Sequence, residues 1–127
     1  MLILVEVHTV KRVRLVLRDP DLNKMVGNEL DLSLGDSANI VDVIRKVDEI
    51  VLEKGRFPIV GCESLLHLTF HPFEKRFYGH VALTAYSRSE RFLNVRGNPK
   101  LTLPDETTVV LALTICSGEW EPIVNPE

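Results

Sequence analysis

The stretch that decides the fold is LTLPDETTVVLALTICSG, residues 101–118, which leads into the tail EWEPIVNPE, residues 119–127. The pattern predicts a polar turn followed by an apolar strand over Val109–Cys116. The strand is expected to end at Ser117-Gly118, and an acidic tail that contains two prolines follows. A strand with apolar side chains on both faces is commonly covered on both faces. The sequence therefore predicts that this strand lies near the middle of a sheet.

Two segments upstream predict half-buried strands because apolar and polar residues alternate in them. Residues 2–18 form the first, either as one long bent strand or as two strands joined loosely near residues 8–11, with arginines alternating against Val13, Leu15 and Leu17 in the second half. Residues 29–34 form the second, with three leucines alternating against polar residues. Pro20 is expected to end the first strand, and residues 23–28 are expected to form a loop around a glycine.

One long helix is predicted over about residues 37–54, because its apolar residues recur at helical spacing on one face. These are Ile40, Val43, Ile44, Val47, Ile50 and Val51. Asp36 or Ser37 is expected to cap its first turn, and Gly55 to end it.

The remaining segment predicts an extra β-hairpin at about residues 64–87. Ser64–Phe70 is interpreted as its first strand, residues 71–79 as a long turn, and His80–Tyr86 as its second strand. The order of elements indicates an α+β fold, with a mixed sheet packed on one helix. We expect a single domain over residues 1–118 and an acidic C-terminal tail over residues 119–127.

The segment Val13–Leu52 resembles the front half of the ubiquitin-like sulfur carriers, namely the molybdopterin-synthase small subunit and the thiamine-pathway carrier. Leu101–Ile115 loosely resembles the approach of these proteins to their C-terminus. The resemblance implies a β-grasp fold, in which the first and last strands lie side by side and the sheet closes around the helix. It also implies a non-catalytic carrier or protein-interaction role, with an activating enzyme or a larger subunit as partner.

The carriers of this family end in a free Gly-Gly, whose carboxylate is adenylated and then holds sulfur. This chain has Ser117-Gly118 followed by nine further residues, among them Trp120. The resemblance therefore implies that a true carrier would need trimming to Gly118. Ser117, Gly118 and Trp120 are the candidate partner-binding residues of this stretch.

Length, charge and cysteine content indicate an ordinary intracellular protein. The chain has 127 residues, a net charge of −3 and two cysteines, Cys62 and Cys116, which are too few for a disulfide framework. The apolar start lacks a basic region before it and a cleavage site after it, and no run approaches the length of a membrane span. We expect a cytoplasmic protein without a membrane partner.

No motif points to a metal, a cofactor or catalysis by the chain alone. His67, His71 and His80 with Cys62 lack the spacing of a metal site, and surface or locally hydrogen-bonded histidines are the simpler interpretation. Cys116 reads as a core residue. Asp105-Glu106 reads as a polar turn. We therefore predict no cofactor, no metal and no enzymatic activity.

Residues 70–100 are basic and aromatic. They hold six Lys or Arg residues against two Glu, and six of the eight aromatic residues. This composition is compatible with binding to RNA or to an acidic protein partner. It is also compatible with a hairpin that binds nothing, whose aromatic residues fill the core and whose charged residues face solvent. The candidate partner-binding residues are Arg88, Arg91, Phe92 and Arg96. A structural assembly subunit that pairs through an exposed strand edge is a further alternative.

Overall fold

The computed structural model describes residues 10–59, 61–89 and 91–113. Within these ranges the chain forms seven strands and three helices. In chain order they are β1 (Lys11–Arg18), α1 (Pro20–Val26), β2 (Glu29–Leu34), α2 (Ile40–Lys54), α3 (Leu65–Thr69), β3 (Phe70–His71), β4 (Arg76–Phe77), β5 (Val81–Tyr86), β6 (Phe92–Leu93) and β7 (Thr107–Leu113). The α+β class predicted from the sequence is confirmed.

Five strands form one mixed sheet in the order β2-β1-β7-β5-β6. β1 and β7 run parallel side by side, and the other neighbours in this sheet are antiparallel. β7 thus occupies the middle of the sheet, as its apolar sequence predicts. Residues 2–9 and 114–116 of the predicted first and last strands lie outside the described residues.

The hydrophobic core lies between α2 and one face of this sheet. On β1, Val13, Leu15 and Leu17 are each at most 1% exposed, and Val109 and Leu111 of β7 are fully buried. α2 presents its predicted apolar face to them, with Ile40, Val43, Ile44, Val47 and Val51 buried. The opposite side of β7 is only half-buried. The expectation that both faces of this strand are covered is therefore wrong for the described residues.

α2 begins three residues later than predicted, and neither Asp36 nor Ser37 caps it. Asn39 does so, because its side chain accepts from the Asp42 N–H at 3.1 Å while the Asp42 carboxylate accepts from the Asn39 N–H at 2.9 Å. The residues before it form a turn that anchors the helix, since the Ala38 carbonyl accepts from the Leu103 N–H at 2.9 Å. The helix ends before Gly55, as expected.

The predicted strand Ser64–Phe70 is wrong, because the chain forms the helix α3 there. The Ser64 hydroxyl accepts from the His67 N–H at 3.0 Å, and the Asp48 carboxylate of α2 accepts from the first two N–H groups of α3, those of Leu65 and Leu66. Leu65 and Leu68 are both fully buried at helical spacing. The extra hairpin is accordingly reduced to β3 and β4, and β5 belongs to the main sheet instead.

The loop predicted over residues 23–28 is also largely wrong, because α1 begins at Pro20. The Asp19 carboxylate accepts from the Leu22 N–H at 3.0 Å, and Pro20 takes the first helical position, where a missing N–H costs nothing. Leu22 is fully buried. Gly27 ends the helix with φ of 89°, which explains why a glycine follows it.

Candidate functional site

The face of the five-stranded sheet that points away from α2, which we call the open face, is covered by no helix of the described residues. It is formed by the residues that alternate with the buried ones. They are Arg12, Arg14, Val16 and Arg18 of β1, Glu29, Asp31 and Ser33 of β2, Thr108, Val110 and Ala112 of β7, Ala82, Thr84 and Tyr86 of β5, and Phe92 of β6.

The strand register arranges these side chains in rows across the sheet. One row joins Asp31, Arg14, Thr108, Tyr86 and Phe92, each opposite the next on the neighbouring strand. Neighbouring strands lie about 4.8 Å apart, so the row spans about 19 Å. The open face therefore changes from acidic at the β2 edge, through basic and then uncharged residues, to aromatic at the β6 edge.

The aromatic end of the open face is exposed. Phe92 is 79% exposed, and its ring meets that of Tyr86 edge-on with 6.4 Å between the ring centroids. In the adjacent row Val16 and Val110 are neighbours, and both are half-buried. A large ring in water beside other apolar surface is typical of interaction sites.

The charged end of the open face is held together by ion pairs. Arg12 and Arg88 both contact the Glu106 carboxylate, at 3.3 and 3.0 Å, and Arg14 lies 3.4 Å from Asp31. All of these groups except Arg88 line a shallow groove of about 440 Å³, together with Ser33 and Thr108. Because its cations already face carboxylates, the groove offers charged groups of both signs rather than a positive surface.

The turn before β7 fixes this end of the sheet. The Asp105 carboxylate accepts from the Arg12 N–H at 2.8 Å, and the Glu106 N–H donates to the Arg12 carbonyl at 2.8 Å. The first of these contacts lowers the pKa of Asp105 below its usual value. Asp105-Glu106 is thus a polar turn, as predicted, and in addition it joins β7 to β1. The backbone of Glu106 is left-handed, with φ of 59°, and its side chain forms the two ion pairs with Arg12 and Arg88.

The structure separates the residues proposed as a site in the 70–100 stretch. Arg88 and Phe92 lie at the β5–β6 end of the open face, with the exposed Arg91 between them in sequence. Arg96 lies at the other end of β5, about 17 Å away by strand length. There its guanidinium donates to the carbonyls of Val81 and Tyr78 at 2.6 and 2.8 Å. Ser117, Gly118 and Trp120 lie outside the described residues.

The remaining cations and rings of this stretch do not form one surface. Arg76 donates to the Glu74 carboxylate at 2.8 Å on the small hairpin, away from the open face. Among the rings, Phe77 is buried in the core, whereas Phe73 is exposed at the hairpin turn. The composition that favours RNA is therefore distributed over at least three separate places.

His67, His71, His80 and Cys62 are the described residues considered as metal ligands from the sequence. Among the described residues, no three His, Cys, Asp or Glu side chains are grouped to hold a metal ion. Burial raises the pKa of the Cys62 thiol to about 11, which keeps it protonated at neutral pH and makes it a poor nucleophile.

Sequence reasoning missed most of the open face. The alternation of Arg12 and Arg14 with apolar residues is visible in the sequence, and it correctly indicates that one face of β1 is exposed to solvent. What the sequence does not contain is the register that sets Val110 beside Val16 and Thr108 beside Tyr86. Only the assembled sheet reveals that these residues form one surface with Phe92.

In the part of the chain that the structure describes, no helix is long and apolar enough to cross a membrane. Comparison with protein-family models, curated protein sequences and solved structures found no match in any of the three.

Proposed function

We propose that the chain is a β-grasp, ubiquitin-like module that binds a protein partner through its open face and performs no catalysis alone. Two features of the sheet support the fold assignment. The first and last described strands of the sheet, β1 and β7, are parallel neighbours, and α2, the longest helix of the described residues, packs on one face of the sheet. These are the relations expected when a sheet closes around a helix after an initial hairpin.

The observation that carries the functional proposal is the exposure of Phe92. Its ring adjoins Tyr86, which lies diagonally across the β5–β7 register from Val110, and Val110 faces Val16. These four apolar residues form a strip that runs obliquely over the open face, with Thr84 and Thr108 beside them. Ion pairs border this strip. An apolar centre with aromatic anchors and a polar rim containing arginine is the usual composition of a protein–protein interface.

A protein partner fits these observations better than RNA does. Binding to RNA is supported by cations that are available to phosphates. Here Arg12, Arg14 and Arg88 face carboxylates, and Arg96 is bound to backbone carbonyls at the far end of β5. A protein surface can match both signs of charge at the rim while it buries Phe92.

The test compares three forms of the full chain as affinity baits in lysate of the native cells. Phe92→Ser removes the proposed anchor, and Leu52→Ser is the matched control, since Leu52 is 70% exposed on α2, away from the open face. Both positions are on the surface, so each variant should fold with nearly unchanged stability. We expect a partner bound by the native sequence to be retained by Leu52→Ser and reduced about ten-fold or more by Phe92→Ser.

Equal retention by both variants would contradict the proposal. Parallel lysates treated with nuclease distinguish the alternative ligand. Binding that disappears after this treatment, and that weakens steeply with salt, would indicate RNA instead of a protein.

A further inference from the structure

β2 forms one edge of the five-stranded sheet, and among the described strands it pairs only with β1. Its register with β1 is continuous from the pair Lys11 and Leu34 to the pair Val16 and Glu29. A bulge, a proline or a lysine commonly blocks the edge strand of a sheet. β2 contains none of these, so its outer side is a regular strand edge.

Alternate residues of β2 direct their backbone groups to the free edge. The Asn28 carbonyl accepts from the Leu17 N–H at 2.8 Å, one pair beyond the printed register of β1 and β2. Hydrogen-bonded and non-hydrogen-bonded pairs alternate in an antiparallel ladder, so the backbone groups of the three leucines of β2 face β1. The residues whose N–H and C=O groups face the free edge are Glu29, Asp31 and Ser33.

The free edge of β2 is open to solvent. Its three residues are all exposed, and the side chain of Asp31 is 85% exposed. The opposite edge of the sheet differs, because β6 has only two residues and the Arg96 guanidinium binds the Val81 carbonyl of β5 at 2.6 Å. In the part of the chain that the structure describes, β2 therefore offers the longer stretch of unpaired backbone.

The side chains along this edge favour a basic partner. Glu29 forms no ion pair with the described residues, and Asp31 forms only the exposed 3.4 Å pair with Arg14. An exposed pair of this kind contributes little to stability, so it competes weakly with another cation. A residue directly opposite on an added strand would have its Cβ about 5 Å away, within reach of a charge pair. Both carboxylates are thus available to Lys or Arg.

The other face of an added strand would lie on the α2 side of the sheet. Leu30 is half-buried there, and a shallow groove of about 390 Å³ separates the end of β2 from α2. Leu34 lines this groove together with Arg45 and Lys46 of α2. The hydrocarbon parts of such long side chains can cover an apolar neighbour while their charges stay in water. This side therefore accepts apolar residues.

We propose that the free edge of β2 binds an extended segment of a partner protein, in which basic and apolar residues alternate, as a sixth strand of the sheet. Backbone hydrogen bonds hold the segment, and the carboxylates of Glu29 and Asp31 select Lys or Arg on the side of the open face. Phe92 lies at the opposite edge of the sheet. The proposal therefore does not depend on the function proposed for the open face.

A second copy of β2 matches this edge poorly. The antiparallel register that uses all three free residues sets Asp31 opposite Asp31 of the other copy. A shift by one pair sets Glu29 opposite Asp31. Like charges directly opposite each other destabilise a strand pair, so the acidic residues disfavour self-pairing.

One interaction opposes a basic segment. Arg14 lies on β1, one strand further from the added segment than Asp31. Two strand spacings amount to about 10 Å, which is comparable to the distance over which physiological salt screens exposed charges. Arg14 also faces the Asp31 carboxylate, so the nearer carboxylates determine the preference.

The test is an NMR titration of the labelled full chain with a synthetic peptide of about seven residues, in which lysine and valine alternate. We expect the amide signals of Glu29, Asp31 and Ser33 to shift. Exchange of these amides with water should slow about ten-fold or more at saturation, because they gain acceptors. The Leu30 and Leu32 amides already face β1, so their exchange should change little. A peptide with glutamate in place of lysine is the matched control and should not bind.

Two variants of Ser33 test the backbone contact at constant charge. Ser33→Pro removes an N–H that faces the free edge and no hydrogen bond to β1, so an edge strand tolerates it. Ser33→Ala keeps this N–H. We expect Ser33→Pro to weaken peptide binding about ten-fold or more and Ser33→Ala to leave it unchanged. Should Ser33→Pro fold poorly, the double variant Glu29→Gln, Asp31→Asn supplies the comparison and should weaken binding at least about two-fold.

Three results would overturn the proposal. One is the absence of shifts at the β2 edge with the lysine peptide at about 1 mM, a concentration that detects even weak complexes. Another is equal binding of the lysine and glutamate peptides, or of the native sequence and the variant that removes the N–H or the charges. The third is a set of edge shifts that grow with the concentration of the chain alone, which would assign the edge to a second copy.

Discussion

Asp48 is the side chain whose removal should most clearly separate α3 from α2. Its two carboxylate oxygens accept from the Leu65 and Leu66 N–H groups at 2.6 and 3.1 Å. Asp48→Ala leaves both donors partly buried without an acceptor. A lost helix cap costs about 0.5–2 kcal/mol, and an unsatisfied buried donor about 1–3 kcal/mol. Part of this cost is offset because the variant no longer has to desolvate a carboxylate on folding. We therefore expect Asp48→Ala to lower the free energy of unfolding by about 2 kcal/mol at pH 7.

The size of this loss should depend on pH. Burial raises the pKa of Asp48 above its usual value of 3.8, although the two N–H donors oppose the shift. Between 3.8 and the raised value the folded protein binds more protons than the unfolded chain, so the contribution of Asp48 falls as pH rises through this window. The cost of Asp48→Ala should therefore be larger near pH 4 than at pH 7.

The assay is urea unfolding followed by circular dichroism, with Glu49→Ala as the matched control. Glu49 is the next residue of α2, and its pair with Lys46 at 3.3 Å is exposed. Its removal should change the free energy of unfolding by less than about 0.5 kcal/mol. Equal effects of the two substitutions would refute the assignment of Asp48 as a cap of α3. A cost of Asp48→Ala that grows with pH would contradict burial as the main influence on the pKa of Asp48.

Two further predictions concern Arg96 and the tail. Arg96→Lys should lower the free energy of unfolding by about 1–2 kcal/mol, because an ammonium cannot reach both carbonyls that the guanidinium now binds. Arg91→Lys at an exposed position is the control, and equal urea midpoints of the two variants would contradict the role given to Arg96. The carrier role that the family resemblance implies predicts a species ending at Gly118 in protein taken from its native cells, and an intact mass that corresponds only to the chain ending at Glu127 would exclude that role.

The sequence predicts the central part of the fold because its signals are local and periodic. Alternation identifies β1 and β2, helical spacing identifies α2, and the apolar run identifies β7. A buried strand also implies neighbours on both sides, which places β7 in the middle of the sheet. β1, β2 and α2 could be predicted because their own residues determine both their type and their buried side, whereas the apolar run of β7 determines its type and central position but not which of its faces is buried.

The two short helices could not be predicted in this way. In α3, Leu65 and Leu68 fit a helix, but Leu66 and Leu68 fit a strand equally well, and Asp48 decides between them from 17 positions away. In α1, Pro20 was interpreted as the end of a strand, although proline suits the first position of a helix equally well. In α3 a contact from outside the segment determines the outcome, whereas in α1 the local Asp19 cap and Pro20 support a helix that the proline alone did not identify.

The candidate site is predicted less well than the fold for the same reason. Phe92 and Arg88 were recognised by residue type alone. Arg96 was grouped with them because it is close in sequence, but β5 separates them and its guanidinium binds backbone carbonyls. Arg14, Val16 and Val110 join the site only through strand register, which depends on the whole sheet.

The most direct test of the open face is an NMR titration of the labelled chain with the partner that the native sequence recovers. The account predicts that amide shifts concentrate on β1, β7, β5 and β6, with Val16, Val110 and Phe92 among the most affected. Shifts that instead concentrate on α2 around Leu52, with β1 and β7 unchanged, would contradict it.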